Sequence, residues 1–289
     1  MGDFITELSN SDQIIQELEL AKKSGDDVVL LKDLAKDKPK RKTFSTGFTM
    51  FDEAMEGGFS GGDLVVISGI SGHGKTSFAQ TLTYNLCRNK FQTLWFSYEV
   101  STDNLDAKFR KMGIGEFYHV FTPRKNTTGK LDWVKKKILH SIIENHTKIV
   151  FIDHIDFLKS TKTKNSDNEA IALKNIAIEL KDIAVKYNIV IVLMAHLKKL
   201  PDDFKEPTMQ DIGYSAGIFQ LADYIFIIWR LQQKNPDSDS GEVFCPYSKI
   251  KIVKNRLTGR TTYQKVIMHD ELFTLEDNIH EEEVDNLPF

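Results

Sequence analysis

Gly69-Ile70-Ser71-Gly72-His73-Gly74-Lys75-Thr76 fits the phosphate-loop pattern G-x-x-x-x-G-K-[ST], and its flanks have the right character. Leu64-Val65-Val66-Ile67-Ser68, just before it, is short, apolar and β-branched, as a buried strand should be. The ten residues after it, Ser77 to Leu86, read as a helix with Phe78, Leu82 and Leu86 on one face. The composition follows from the chemistry. Glycines let the backbone wrap closely around a triphosphate, while successive N–H groups and a helix N-terminus attract its negative charge. Gly69, Ser71, Gly72, His73, Gly74, Lys75, Thr76 and Ser77 therefore make a nucleotide cradle. Lys75 reaches the β- and γ-phosphates of such a ligand, and the Thr76 hydroxyl is a ligand for Mg2+. A glycine-rich turn that happens to hold a lysine would not need the strand, the Lys-Thr pair and the helix in this order. The stretch points to ATP and Mg2+.

Working outward, four more apolar runs read as strands: Thr93 to Ser97, Ile149 to Ile152, Ile189 to Leu193, and Tyr224 to Trp229. Helical patterns lie between them, chiefly Leu131 to Glu144 and Asn168 to Lys186. Apolar strands alternating with helices mean a mainly parallel sheet covered on both faces, an α/β fold. Lys249 to Val253, Thr261 to Met268 and Glu271 to Leu275 look like shorter strands. The turns Leu257-Thr258-Gly259-Arg260 and His269-Asp270 would join them as an antiparallel extension. At 289 residues, one large domain with appendages is expected, and no internal repeat is visible.

Composition excludes several classes. No apolar run approaches the roughly 20 residues needed to span a bilayer, so no membrane partner is expected. The start, Met1-Gly2-Asp3-Phe4, shows no basic region followed by an apolar core, so export is not expected either. Cys87 and Cys245 lack metal-type spacing and suit a reducing cytoplasm. A net charge of -3 argues against a globally basic nucleic-acid coat, though not against a local basic track.

Residues 1–44 read as a short helical appendage and basic linker. Ile14, Ile15, Leu18 and Ala21 fall on one helical side, and Lys36 to Lys42 is a proline-bearing basic run. The apolar side must pack either on its own domain or on a neighbouring subunit, and oligomerisation is the natural use. Residues 45–277 are the expected core domain. Residues 278–289 read as an acidic tail ending Asn286-Leu287-Pro288-Phe289. Such a tail either solubilises or docks on a basic groove of a partner.

Nucleotide hydrolysis needs an acid that positions the metal and a group that orients or deprotonates the attacking water. In a parallel sheet both belong at the carboxyl ends of strands beside the phosphate loop. Asp153 ends the strand Ile149 to Ile152 and is the expected second metal-site residue beside Thr76. Glu99 follows Ser97-Tyr98 and is the expected general base. Asp156 and Asp103 are alternatives that a helix or loop would carry outward. His196, after Met194-Ala195, is either a structural histidine or a donor to the γ-phosphate.

Taken together, the succession resembles the RecA-like ATPase domain of superfamily 4 hexameric replicative helicases, of the bacterial DnaB and phage primase–helicase types. The residues that carry the resemblance run in order from about Ser45 to about Asp277. They are Thr46 to Asp52 with Gly57-Gly58-Phe59, Phe96 to Ser101, Ile152 to Leu158, Gln210-Asp211-Ile212 through Asp223 with Trp229-Arg230, and Lys254 to Gly259. The resemblance implies a Walker B role for Asp153, a catalytic role for Glu99 beside Lys75, and a γ-phosphate sensor in Ala195-His196-Leu197, as in the phage branch. It also implies that Arg256 and Lys254, otherwise an ordinary surface pair, reach across a subunit boundary to a neighbour's γ-phosphate. Turnover would then depend on a homohexameric ring.

By the same resemblance, loops between Leu197 and Gly217 line a channel for single-stranded DNA, with Lys198, Lys199 and Lys205 as phosphate contacts. The chain departs from bacterial members at Gly213, where they commonly have arginine. That leaves the backbone N–H groups of Gly213, Ser215, Ala216 and Gly217 as the expected contacts. The implied protein is an ATP-hydrolysing DNA helicase of a bacterial or phage-infected cytoplasm, moving 5′ to 3′. A primase, polymerase or loader would be its partner through the acidic tail. Two competing readings are a RadA-like recombination or regulatory ATPase without processive unwinding, and a non-catalytic module that uses ATP to assemble.

Overall fold

Burial on both sides of the strand before the phosphate loop sets the architecture. Leu64 and Val66 point to one side of the strand Leu64–Gly69, Val65 and Ile67 to the other, and all four are fully buried. A strand apolar on both faces needs a layer of helices on each. The computed structural model describes residues 41–113, 118–121, 130–158, 166–197, 206–208, 211, 216–234, 242–269 and 272–274. All but Arg41 of these belong to one compact unit, Lys42–Phe289. The expected N-terminal helix, the basic run up to Lys40 and the acidic tail lie outside the described residues.

The strands, in chain order, are β1 Thr43–Phe44, β2 Phe59–Ser60, β3 Leu64–Gly69, β4 Thr93–Ser97, β5 Tyr118–Phe121 and β6 Ile149–Asp153. After them come β7 Val190–His196, β8 Tyr224–Lys234, β9 Glu242–Asn255, β10 Thr262–His269 and β11 Leu272–Thr274. Among the described residues nine of these form one sheet in the order β11-β10-β9-β8-β3-β7-β6-β4-β5. The run from β8 to β5 is parallel throughout. β9, β10 and β11 extend it antiparallel beyond β8. The expected mainly parallel sheet with an antiparallel extension is therefore observed.

One face carries α1 (Thr49–Ala54), α2 (Lys75–Arg88) and α3 (Thr102–Lys111), with Phe51, Phe78, Leu82, Leu86 and Phe109 in its core. The other carries α4 (Lys130–Asn145), α5 (Ser166–Tyr187) and α6 (Ala216–Leu221), packing Val134, Ile138, Leu180 and Ile218. Phe78, Leu82 and Leu86 are fully buried, as their spacing predicts. Trp95 is also fully buried, and its indole N–H donates to Thr83 Oγ1 at 2.9 Å, so no polar atom of that ring is stranded. Cys87 is buried, and burial pushes its thiol up, which makes it unreactive.

Several elements are not legible in the sequence. β5 is a four-residue edge strand, and α3 has Leu105 and Phe109 as its buried residues in an otherwise polar helix. A separate antiparallel pair, β1 with β2, frames α1. β8 and β9 outrun their apolar cores because antiparallel pairing continues from Arg230 to Lys234. The expected turn after β9 is built by Asn255. Its Nδ2 donates to Ala54 O at 2.8 Å and Thr258 Oγ1 at 2.7 Å, and its Oδ1 accepts from the N–H groups of Leu257 and Thr258. No helix among the described residues is long and apolar enough to cross a membrane.

Candidate functional site

The sheet order brings β3, β7, β6 and β4 side by side, and their carboxyl ends carry the residues singled out above. Register fixes the level of each. Gly69 lies opposite His196, and Ser97 opposite Asp153. The phosphate loop leaves β3 at Gly69, where an added Cβ would sit 2.4 Å from Ile228 O. It enters α2 through Gly74, whose φ of 98° is a conformation that favours glycine. His73 fastens the loop to the next strand, its Nδ1 accepting from Arg230 N at 3.1 Å. Spacing gives no sign of that fastening.

Thr76 Oγ1 donates to Asp153 Oδ2 at 2.8 Å, so the two expected metal-site oxygens converge. Asp153 is 1% exposed. Burial raises its carboxyl above the ordinary value, against the lowering effect of the Thr76 hydrogen bond. A buried carboxylate that disfavours its own charge, paired with a hydroxyl, is a hard-oxygen set that fits Mg2+. Lys75 is likewise buried, and its Nζ donates to the carbonyls of Gly69 and Ile70, each at 3.1 Å. Burial lowers its ammonium, while Glu99 and Asp153 oppose that shift. The pocket thus holds a desolvated cation beside backbone N–H groups, which is the environment an anionic phosphate would complete.

Glu99 stands beyond β4. Its Oε1 lies 3.0 Å from His154 Nε2 and 3.2 Å from His196 Nε2, with the two imidazoles edge to face at a centroid separation of 4.4 Å. Burial, followed by the charges of Lys75 and His154, holds His196 below its usual value. Glu99 and His196 are both expected here, and they meet. His154 is the member of this cluster that sequence reasoning does not single out, a plain residue of the Ile152 to Leu158 stretch; its signal is its place immediately after the strand-ending Asp153. Asp156, expected to point outward, sits in the 3-10 turn Ile155–Leu158 with Oδ2 3.1 Å from His154 Nδ1. Asp103 is exposed in the first turn of α3.

Lys254 and Arg256 are elsewhere. β9 runs antiparallel to β8, so Lys254 lies opposite Ile225 and Asn255 opposite Tyr224, and Tyr224 is level with Val65. From Val65 to Gly69 the strand rises roughly 13 Å. The basic pair is therefore at the opposite end of the strands from the phosphate loop, along the amino edge of β3 and β8. There Lys254 Nζ donates to Phe219 O at 2.7 Å and Gln220 O at 3.1 Å. Arg256 donates to Gln220 O at 2.6 Å and to Asp223 Oδ1 at 3.2 Å. Asp223, which ends the Gln210 to Asp223 stretch of the resemblance, is here a structural residue. Buried, it accepts from Leu64 N at 2.8 Å and pairs with Lys181.

Of the expected DNA contacts, Lys198, Lys199, Lys205, Gly213 and Ser215 lie outside the described residues. Ala216 and Gly217 open α6, and Gly217 faces the Lys174 side chain, which an added Cβ would meet at 2.8 Å.

The profile of the family described as DnaB-like helicase C terminal domain matches residues 43–114 and 119–277. The chain belongs to that family. Among curated relatives, a probable replicative DNA helicase of Trieres chinensis is 26% identical over 239 residues, covering 71% of this chain and 51% of that protein. The replicative DNA helicase DnaB of Rickettsia conorii is 24% identical over 253 residues, with 73% and 51% covered. The DNA repair protein RadA of Aquifex aeolicus is 21% identical over 241 residues, with 83% and 47% covered. This chain spans about half the length of the curated relatives it matches. Among solved structures, a DnaB-like replicative helicase studied with its interactions with primase aligns at a TM-score of 0.65 and 18% identity, covering 92% of this chain and 74% of that one. A second solved structure, of an ATPase domain, aligns at a TM-score of 0.65 and 19% identity, covering 85% and 95%. These likenesses bear on the fold, which for a DnaB-like domain is the one described above.

Proposed function

We propose that this DnaB-like chain is the ATP-driven motor of a replicative DNA helicase, a homohexameric ring that moves along single-stranded DNA and separates duplex. The observation that carries the reading is the division of the machinery between the carboxyl and amino edges of the parallel strands. The cradle, with Lys75, Thr76, Asp153 and Glu99, stands at one edge. Arg256 and Lys254, at the other edge, are too far off to serve it. A second copy that presents this edge to the first copy's cradle would supply an arginine in trans.

In this reading the loop N–H groups and Lys75 hold the β- and γ-phosphates of ATP. Thr76 and Asp153 hold Mg2+, which when bound offsets charge on those phosphates. Glu99 takes a proton from the attacking water, which requires it to leave the two imidazoles that hold it. His196, level with Gly69, is then free to donate to the γ-phosphate and to register its loss. Lys198, Lys199, Lys205 and the backbone of Gly213, Ser215, Ala216 and Gly217 are the proposed DNA contacts, with 5′ to 3′ movement inferred from family resemblance. A primase, polymerase or loader is the proposed partner of the acidic tail. The solved relative with its primase supports that class of partner. A bacterial or phage-infected cytoplasm is the proposed setting.

The RadA relative supports a second reading, a DNA-dependent ATPase that does not unwind processively. A forked-duplex assay separates them. Strand separation that needs ATP and is lost in Lys75→Ala supports the helicase. DNA-stimulated hydrolysis without strand separation supports the second reading and sinks the first.

A further inference from the structure

Glu99, His154 and His196 each offer one ligand atom, and the three atoms lie within 4.8 Å of one another. We propose that they form a binding site for a divalent transition-metal cation of the Zn2+ class, and that its occupancy takes Glu99 out of ATP hydrolysis. Two imidazole nitrogens and one carboxylate oxygen are a donor set typical of zinc, which leaves a fourth position for water. Mg2+ prefers all-oxygen sites, so the Thr76–Asp153 pair and this cluster differ in softness.

The spacing is close to what such an ion requires. Bonds of about 2.0–2.1 Å at tetrahedral angles put ligand atoms about 3.3 Å apart. The observed separations from Glu99 Oε1 are 3.0 and 3.2 Å. Three neighbouring strands deliver the donors, since His196 ends β7, His154 directly follows β6 and Glu99 comes two residues after β4. The outer shell is also in place. His154 places its second nitrogen, Nδ1, 3.1 Å from Asp156 Oδ2 and 3.3 Å from the Asp156 N–H, which donates to it; a cation on Nε2 would leave the ring proton on Nδ1 and turn that contact to the carboxylate. A carboxylate behind a ligating histidine fixes ring orientation and strengthens the ligand. With His154 only 8% exposed, little solvent competes for its Nε2.

Binding stands on the donors alone, whereas its consequence rests on the reading of Glu99 as general base. The test uses the untagged full chain without nucleotide, titrated with Co2+ as a spectroscopic stand-in and with Zn2+ by calorimetry. One equivalent of Co2+ should give visible absorption of low-symmetry, tetrahedral type, displaced by Zn2+. Affinity should fall at least tenfold in each of His196→Ala and Glu99→Gln, with His154→Ala as a third variant checked for folding by its melt. Asp156→Asn should weaken binding about 10- to 100-fold. Thr76→Val, which removes the Mg2+-site hydroxyl, should leave the Co2+ spectrum intact. Absence of the band, binding undiminished by the histidine and glutamate variants, or loss in Thr76→Val would each overturn the site. Zn2+ bound at one equivalent without slowing Mg2+-dependent hydrolysis would overturn the consequence and count against Glu99 as base.

Discussion

At the carboxyl edge of β3, β7, β6 and β4, polar side chains face one another: Thr76 with Asp153, Glu99 with His154 and His196. At the opposite edge, Lys254 and Arg256 face main-chain carbonyls at the end of α6 and the carboxylate of Asp223. The first region carries groups at odds with their burial, a raised Asp153 and a lowered Lys75. The second satisfies its cations with helix-end carbonyls, an arrangement a helix macrodipole favours. In the proposed reading one edge receives Mg2+ and a phosphate. The other has cations on a half-exposed surface, where Arg256 retains 49% of its side-chain exposure. In the proposed ring the two edges of different copies meet.

The sharpest break in that comparison is Arg256→Ala. It should lower ATP turnover by about 10³-fold or more with nucleotide binding retained, because an arginine supplied in trans acts on the transition state. A variant hydrolysing at the parental rate would make the far edge merely structural. Glu99→Ala should cost about 10²- to 10⁴-fold at the near edge, measured as steady-state phosphate release. Retained turnover would transfer the base role elsewhere.

Between the edges, Phe78→Ala removes a fully buried ring that packs α2 against the sheet, contacting Phe48, Phe51 and Phe226. It should cost about 3–5 kcal/mol in denaturant unfolding. A cost under about 1 kcal/mol would mean α2 is not held by that core.

The smallest effect has an instructive sign. The folded Asp153 carboxyl titrates above its ordinary value of 3.8. Between 3.8 and that higher value the folded chain holds more protons than the unfolded one, so stability falls as pH rises through the window, and the loss persists at neutral pH. His196 works the other way, gaining stability as pH rises toward 6.5. Asp153→Asn keeps an acceptor for Thr76 and should raise the melting temperature of the nucleotide-free protein at neutral pH while Mg2+-dependent hydrolysis is lost. A lowered melting temperature would contradict the charge-strain account.

Much of this is legible in the sequence because the relevant signals are local. The phosphate loop announces itself by spacing, and Asp153 and Glu99 by ending apolar runs. Their meeting at one edge follows once the strands are parallel. The pairing of Glu99 with His154 is not legible, since it depends on β4 and β6 being neighbours, an order that periodicity does not encode. Nor are the partners of Asp223, Leu64 and Lys181, which are far away in the chain. Short or polar elements such as β5 and α3 hide because tertiary pairing, rather than their own pattern, fixes them. The position of Arg256 opposite the cradle likewise needs the antiparallel β9; family resemblance supplies its role but not its distance.

Mixing Arg256→Ala and Glu99→Ala subunits tests the shared-site claim most directly. Each alone should be nearly inert, yet interfaces that join an intact cradle to an intact Arg256 should recover a measurable fraction of parental ATP turnover. Mixed assemblies verified by native mass spectrometry that recover no turnover would contradict the account.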